Sequence, residues 1–221
     1  MPQIRTLTKE ILDNLTPQEV LHILQNGNNR FINNLRAHHD LLEQVNETKD
    51  WQHPFAIILS CMDSRTSAEL IFDQGLGDIF SVRVAGNILN ADVLGSLEFA
   101  CAIIGVKLIV VLGHTGCGAI KGVLQQAQLD PALNNLNQLL DKLHPVLRKT
   151  ERMNCKLQLE DRINAIAATN VRLVRQQITQ SSIVLRQYIT QAQVGLVSGM
   201  YNVETGRVDF YDDEFSMFDV K

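Results

Sequence analysis

The chain has 221 residues, of which 45% are hydrophobic and 20% charged, and its formal net charge at pH 7 is -4. These values are ordinary for a soluble globular protein and fit one domain with a sizeable core. They give no electrostatic reason to bind nucleic acid or an anionic membrane surface. No apolar run approaches the ~20 residues of a membrane-spanning helix, and residues 1–15 lack the apolar core of a signal peptide. We therefore expect a cytoplasmic protein that binds neither nucleic acid nor membranes.

The first predicted element is a helix that begins at Thr16-Pro17. Thr16 caps it, Pro17 takes the first helical position, and Glu19 completes a capping box. The apolar residues that follow recur near helical spacing, with a possible break at Gly27-Asn28. This amphipathic helix needs a surface to cover, on its own domain or on a twin subunit. Residues 36–53 are polar and predict a loop.

Strands and helices alternate through the middle of the chain. The pattern predicts strands at 55–59, 79–84 and 108–112. Between them it predicts a short helix at 67–72, a turn at 85–87, and a helix that begins at Asn90 or Asp92 and stops at Gly105. This alternation is typical of a parallel sheet with right-handed crossovers.

The last third of the chain predicts further helices and a hairpin. Helices are expected at 118–128, from Asp130-Pro131 along a leucine stripe, at 160–180, and after Ser181 or Ser182. Strands at 194–202 and 208–211 flank a turn and form the hairpin. We predict an α/β fold with a mostly parallel central sheet flanked by helices, an antiparallel C-terminal hairpin and an N-terminal helical arm. Residues 1–221 form a single domain, with the arm at 1–50, the α/β core at 51–130, and helices and hairpin at 131–221.

Three residues that bind soft metals follow two of the predicted strands. Cys61 comes soon after the strand at 55–59, and His114 and Cys117 follow the strand at 108–112. Open α/β sheets bind ligands at the carboxyl ends of their strands, so we expect these three side chains to lie together. Zinc binds thiolate and imidazole tetrahedrally, and three protein ligands leave a fourth position for catalysis. The other cysteines, Cys101 and Cys155, offer no obvious fourth ligand.

A carboxylate and a guanidinium follow Cys61 at alternate positions, as Asp63 and Arg65. Two thiolates and one histidine formally cancel the charge of zinc, so such a metal acidifies its bound water less strongly than one held by three histidines. Asp63 is therefore placed either to orient a zinc-bound hydroxide or to occupy the fourth coordination position itself. Arg65 can decide between the two, because a bidentate guanidinium holds a carboxylate off the metal and keeps it ionised.

Together, Cys61-x-Asp63-x-Arg65 and His114-x-x-Cys117 resemble the motifs of the β-class carbonic anhydrases. The resemblance covers most of the chain, from the Thr16-Pro17 helix to the C-terminal hairpin. It implies a zinc enzyme that interconverts CO2 and bicarbonate, in which Asp63 and Arg65 orient the hydroxide. It also implies a homodimer whose N-terminal helices embrace the neighbour, and in that family dimers often pair into tetramers.

The same resemblance implies which residues line the substrate pocket. Gln52 agrees with the glutamine that plant-type members place near the substrate from across the dimer interface, whereas Phe99 stands where those members carry a tyrosine. Val84 and Phe99 form the apolar flank that would hold CO2, and Gly86 either packs near the pocket or simply makes the turn. Members with an inhibitory bicarbonate pocket carry a tryptophan where this chain has Ile58, so we expect no such pocket.

Two alternatives to CO2 hydration remain at this stage. The same scaffold with a narrowed entrance can hydrolyse carbonyl sulfide or carbon disulfide. A non-catalytic zinc or bicarbonate-sensing protein would have its fourth position permanently closed by Asp63. The presence of Arg65 argues against the sensor, since a permanently closed site needs no partner to pull the carboxylate away.

Overall fold

Five strands form one sheet at the centre of the computed structural model, which describes residues 6–125, 132–154 and 157–211. The order across the sheet is β2-β1-β3-β4-β5. The pairs from β2 to β4 are parallel, whereas β5 pairs antiparallel with β4. The predicted α/β class, with a mostly parallel sheet and an antiparallel C-terminal hairpin, is therefore confirmed. The strands are β1 (Ala56–Ser60), β2 (Ile79–Arg83), β3 (Leu108–His114), β4 (Gly195–Tyr201) and β5 (Val208–Phe210).

Ten α-helices occur in the described ranges, together with a 3₁₀ turn at Ala85–Asn87 and a π-helix at Phe99–Ile104. The α-helices are α1 (Lys9–Asn14), α2 (Pro17–Ile32), α3 (Leu41–Thr48), α4 (Ala68–Ile71), α5 (Ala91–Glu98), α6 (Gly118–Leu124), α7 (Asn134–Asp141), α8 (His144–Asn154), α9 (Leu159–Ser181) and α10 (Ile183–Thr190).

Helices cover both faces of the sheet, because side chains along its central strands alternate between two apolar clusters. In β1, Ile58 faces the cluster that α2 and α4 cover, whereas Ile57 and Leu59 face the cluster that α5, α9 and α10 cover. Val20 and Leu24 of α2 are completely buried in the first cluster. Of the two surfaces considered for this amphipathic helix, it covers its own sheet.

Helix α2 begins as predicted and runs on without the break considered at Gly27-Asn28. The Thr16 hydroxyl accepts a hydrogen bond from the backbone N–H of Glu19, and the Glu19 carboxylate accepts one from the N–H of Thr16, which confirms the capping box. Gly27 allows a close approach to the chain after α4, since a Cβ there would lie 1.8 Å from the carbonyl oxygen of Phe72. The glycine therefore serves helix packing and does not end the helix.

Asn28 does not break α2 because its side chain serves backbone groups elsewhere in the fold. Its Nδ2 donates to the carbonyls of Ile71, at 3.1 Å, and Gly206, at 2.9 Å. Its Oδ1 accepts from the N–H of Val208 at 2.9 Å. An asparagine usually competes with helix formation by bonding to its own backbone. Here, Asn28 joins α2 to the end of α4 and to the C-terminal hairpin.

Two other segments differ from the sequence prediction. The predicted loop at 36–53 contains α3, whose first turn is capped by the Asp40 side chain. Its apolar residues Leu41, Leu42 and Val45 are exposed, so this helix does not bury them against the core. The leucine stripe after residue 132 belongs to α7 and α8, which are separate helices, and Pro145 lies in the first turn of α8.

Some predictions fall outside the described residues. They are the helix start at Asp130-Pro131, residues 126–128 of the helix predicted at 118–128, and the environment of Cys155. Helix α6 ends at Leu124, earlier than predicted. Within the described ranges, no helix combines the length and the apolar character needed to span a membrane.

We expect Asn28→Ala to lower the free energy of unfolding by about 3 kcal/mol, because it leaves one buried carbonyl, one half-buried carbonyl and one buried N–H without partners. Chemical denaturation of the purified protein measures this loss. Asn26→Ala is the matched control, since Asn26 is an exposed residue of the same helix, and should change stability by less than about 0.5 kcal/mol. Equal losses in the two variants would contradict the account.

Candidate metal centre

The parallel pairing of β1 and β3 places the predicted metal ligands together at the carboxyl ends of these two strands. Cys61 directly follows β1, His114 is the last residue of β3, and Cys117 caps the start of α6. One ligand atom from each of these residues lies within 4.8 Å of the other two, and all three residues are buried. The structure thus brings together the three residues that the sequence singled out. Cys101 is a buried free cysteine outside this group.

The donor atoms of this group fit a metal ion. Nδ1 of His114 lies 3.0 Å from the carbonyl oxygen of Thr115, which can only accept a hydrogen bond. Nδ1 therefore carries the proton, and Nε2 presents its lone pair. Nε2 is buried and has no hydrogen-bond partner among the described residues. A buried imidazole lone pair beside two thiols is the arrangement of a metal ligand whose orientation a backbone carbonyl fixes.

Each of the two thiols of the group changes the pKa of the other. A hydrogen bond from Cys117 lowers the pKa of Cys61, and the same interaction together with burial raises the pKa of Cys117. Two adjacent buried thiolates repel each other, so both ionise together only when a cation compensates their charge. Metal binding at this group therefore releases protons and contributes to the stability of the fold.

Asp63 and Arg65 form a tightly bonded pair beside the metal-binding group. Oδ1 of Asp63 accepts from the backbone N–H of Arg65 at 3.0 Å and from its Nε at 2.9 Å, and Oδ2 accepts from Nη2 at 2.8 Å. The guanidinium holds the pKa of Asp63 well below its usual range. The carboxylate is thus ionised at neutral pH and held in one orientation by three donors of a single residue.

Gly86 both makes the predicted turn and contacts the metal-binding group. Its φ of 67° lies in the left-handed region that glycine adopts without strain. Its N–H donates to Sγ of Cys61 at 3.4 Å. A Cβ on this residue would lie 3.0 Å from the Leu143 side chain. Val84, two residues earlier, packs against the apolar cluster that contains Cys61 and Cys117.

Gln52 and Phe99 are not beside the metal-binding group of their own chain. Gln52 is exposed and precedes β1, whereas Cys61 follows that strand. Phe99 is 52% exposed and lines a cavity of about 510 Å³ beside the edge strand β2, together with Phe80 and Val82. A single chain therefore does not bring these two predicted substrate-binding residues to the metal-binding group.

The sequence did not reveal several polar residues that support the site. Asn164 of α9 accepts a hydrogen bond from the N–H of Gly116 at 2.9 Å, and Asn170 of the same helix donates to the carbonyl of Gly86 at 2.9 Å. The Thr66 hydroxyl lies 2.8 Å from the carbonyl oxygen of Cys61. Asparagines inside a helix give no pattern that identifies such distant partners, although Thr66 directly follows the Cys61-x-Asp63-x-Arg65 motif.

Comparison with known proteins gives a consistent family assignment. A carbonic anhydrase of Mycolicibacterium smegmatis is 30% identical over 200 residues, which are 90% of this chain and 95% of that protein. The β-carbonic anhydrase CafA of Aspergillus fumigatus matches with a TM-score of 0.69 at 26% identity, over 77% of this chain and 81% of that chain. One of two tetrameric β-carbonic anhydrases from Sordaria macrospora has the same fold, with a TM-score of 0.68 at 21% identity, over 87% of this chain and 97% of that chain.

The sequence model of the carbonic anhydrase family matches residues 56–208. This region runs from the first residue of β1 to the first residue of β5 and contains the complete metal-binding group. On these grounds the chain belongs to the carbonic anhydrase family, in its β-class.

Proposed function

We propose that this chain catalyses the reversible hydration of CO2 to bicarbonate and a proton, with zinc bound by Cys61, His114 and Cys117. The observation that carries the proposal is a buried Cys-His-Cys group with an ionised carboxylate held next to it by an arginine. The relatives named as carbonic anhydrases support the same activity. Thiolate and imidazole are the donors of catalytic zinc sites that keep one position open.

Zinc, when bound, supplies the Lewis acidity that makes water a nucleophile near neutral pH. The protein residues then have to orient the attacking water. Asp63 is suited to this role, because a carboxylate offers about four acceptor positions and Arg65 uses three of them. Oδ1 takes two of those bonds and Oδ2 takes one. We assign the remaining acceptor position of Oδ2 to the hydrogen of the attacking water.

Arg65 acts through Asp63 in this proposal. Its guanidinium and its backbone N–H both hold the carboxylate, so rotation of Asp63 toward the metal would break three hydrogen bonds at once. The pair therefore favours Asp63 as the group that orients water, against Asp63 as a fourth metal ligand. This argues against a permanently closed, non-catalytic site.

A pocket for CO2 needs apolar walls, since CO2 offers no strong hydrogen-bond handle. We assign one wall to Val84, which packs against the cluster that contains Cys61, and to Gly86, whose N–H contacts the Cys61 thiol. The other wall requires Phe99 of a second chain, and Gln52 of that chain would donate to an oxygen of the substrate. The proposal therefore includes a homodimer as the minimal unit. We extend it to a dimer of dimers, which is supported by the matched tetrameric protein from Sordaria macrospora, since that protein shares the fold.

We expect Asp63→Asn to keep zinc but to lower the rate of CO2 hydration by about a hundredfold or more. The amide has one acceptor oxygen in place of two, so it cannot accept the hydrogen bonds of both Arg65 and water as the carboxylate does. Stopped-flow hydration on metal-quantified protein measures this loss. Asp209→Asn is the matched control, because Asp209 is an exposed carboxylate bonded by an arginine two residues away, Arg207. Undiminished hydration by Asp63→Asn would refute the orienting role. If the unaltered protein releases sulfide from carbonyl sulfide but does not hydrate CO2, the assignment of CO2 as its substrate is wrong.

We expect Cys117→Ser to lose zinc and to unfold at a lower temperature, because formation of the site is coupled to folding. Metal analysis and thermal unfolding measure the two effects. Cys101→Ala is the control, since Cys101 is also buried but lies outside the metal-binding group. That variant should keep the zinc content of the unaltered protein. Full zinc stoichiometry and affinity in Cys117→Ser would show that the proposed ligand set is wrong.

A further inference from the structure

Arg83 bonds to the loop that carries both a metal ligand and the orienting carboxylate. It is the last residue of the edge strand β2. Its Nε donates to the carbonyl of Cys61 at 3.3 Å, and its Nη2 donates to the carbonyls of Met62 at 3.3 Å and Asp63 at 2.6 Å. One guanidinium therefore holds three successive carbonyls of the loop.

Arg83 uses its guanidinium differently from Arg65 and Arg207. Exposed arginines commonly pair with carboxylates, as Arg65 and Arg207 do here. Among the ion pairs of the described residues, none includes Arg83. Its planar fork instead presents N–H donors to three successive carbonyls of the loop. The bonds therefore act on the backbone path of the loop.

Thr66 holds the same loop from the protein interior. Its buried hydroxyl lies 2.8 Å from the carbonyl oxygen of Cys61 and 2.9 Å from that of Asp63, and its N–H donates to the Asp63 carbonyl at 3.0 Å. The Asp63 carbonyl is thus bonded from two sides. With the backbone of Asp63 held in this way, the position of its carboxylate depends only on its side-chain torsions and on Arg65.

We propose that Arg83 is a positioning residue for the reaction, which fixes the loop from Cys61 to Asp63 and thereby the site of the Asp63 carboxylate. This inference rests on the proposed role of Asp63 in orienting water. Without Arg83, the loop keeps its contacts to Thr66 and the bond from Gly86 to the Cys61 thiol but loses its outer support, and the carboxylate shifts relative to the metal-binding group. Shifts of about 1 Å at reacting groups are enough to reduce a rate about a hundredfold.

A double-mutant cycle separates this role from a merely structural one. Arg83→Gln is made alone and in the Asp63→Asn protein, and kcat, KM and zinc content are measured in each. We expect Arg83→Gln alone to lower kcat about tenfold or more at nearly unchanged KM, since it acts through the position of Asp63. In the Asp63→Asn protein the same change should lower kcat less than about twofold. Equal factors in both proteins, or an unchanged kcat in the single variant, would overturn the proposal.

A second readout does not depend on activity. The rate at which a chelator removes zinc should rise several-fold in Arg83→Gln, because the backbone next to the ligand Cys61 loses its outer support. Arg207→Gln removes another exposed arginine, at the opposite edge of the sheet, and should leave kcat and the zinc-release rate unchanged. Zinc release from Arg83→Gln at the rate of this control would count against the proposal.

Arg83→Lys keeps the positive charge but has one nitrogen in place of the fork, so we expect a kcat between those of the unaltered protein and Arg83→Gln. Full restoration by lysine would overturn the proposal, because charge alone would then suffice. If Arg83→Gln does not fold, the lysine variant is taken through the same cycle, with the same criteria. Failure of the proposed function has a different signature, namely undiminished hydration by Asp63→Asn alone.

Discussion

Parallel pairing of β1 with β3 is the constraint on which the candidate site depends. The pairing sets Ser60 opposite Leu112, so Cys61 and His114 both lie at the carboxyl ends of their strands, on the same side of the sheet. Both strands are buried on both faces, and a slip by one residue would exchange the side chains that face the two apolar clusters. The apolar contacts that build the core therefore also fix which residues meet at the metal-binding group.

Helix α9 links this core to the turns that carry the site. Its apolar residues pack in the clusters on the sheet, while two of its asparagines bond to the turns at Gly86 and Gly116. The turn at Gly86 carries the N–H group that contacts Cys61, and the turn at Gly116 lies between His114 and Cys117. The Gly86 carbonyl is buried, so leaving it without the Asn170 partner would be costly, whereas the Asn164 bond holds the exposed turn at Gly116. Both bonds stabilise turn geometries that place the thiols and the imidazole together. The same helix thus serves packing and site geometry.

Much of this arrangement could be predicted from local sequence signals, and the exceptions have physical causes. Apolar runs predicted the strands, and polar residues at their ends predicted the metal-binding group and the contact between Asp63 and Arg65. The bonds of Asn164 and Asn170 join residues far apart in sequence, so no spacing reveals them. Ser67 occupies its predicted cap position, but its hydroxyl bonds to Glu69 and not to the helix backbone. The sequence predicts an α-helix up to Gly105, but Phe99–Ile104 form a π-helix. Apolar residues on a helix do not distinguish the two types.

In the proposed function, a metal held by Cys61, His114 and Cys117 makes this protein a CO2 hydratase. Its most direct test is to remove the metal, return zinc in steps, and follow CO2 hydration and bound zinc together. The account predicts activity that rises in proportion to bound zinc and saturates at about one zinc per chain. Hydration that is as fast without metal as with it, or a zinc-saturated protein with no hydration activity, would contradict the account.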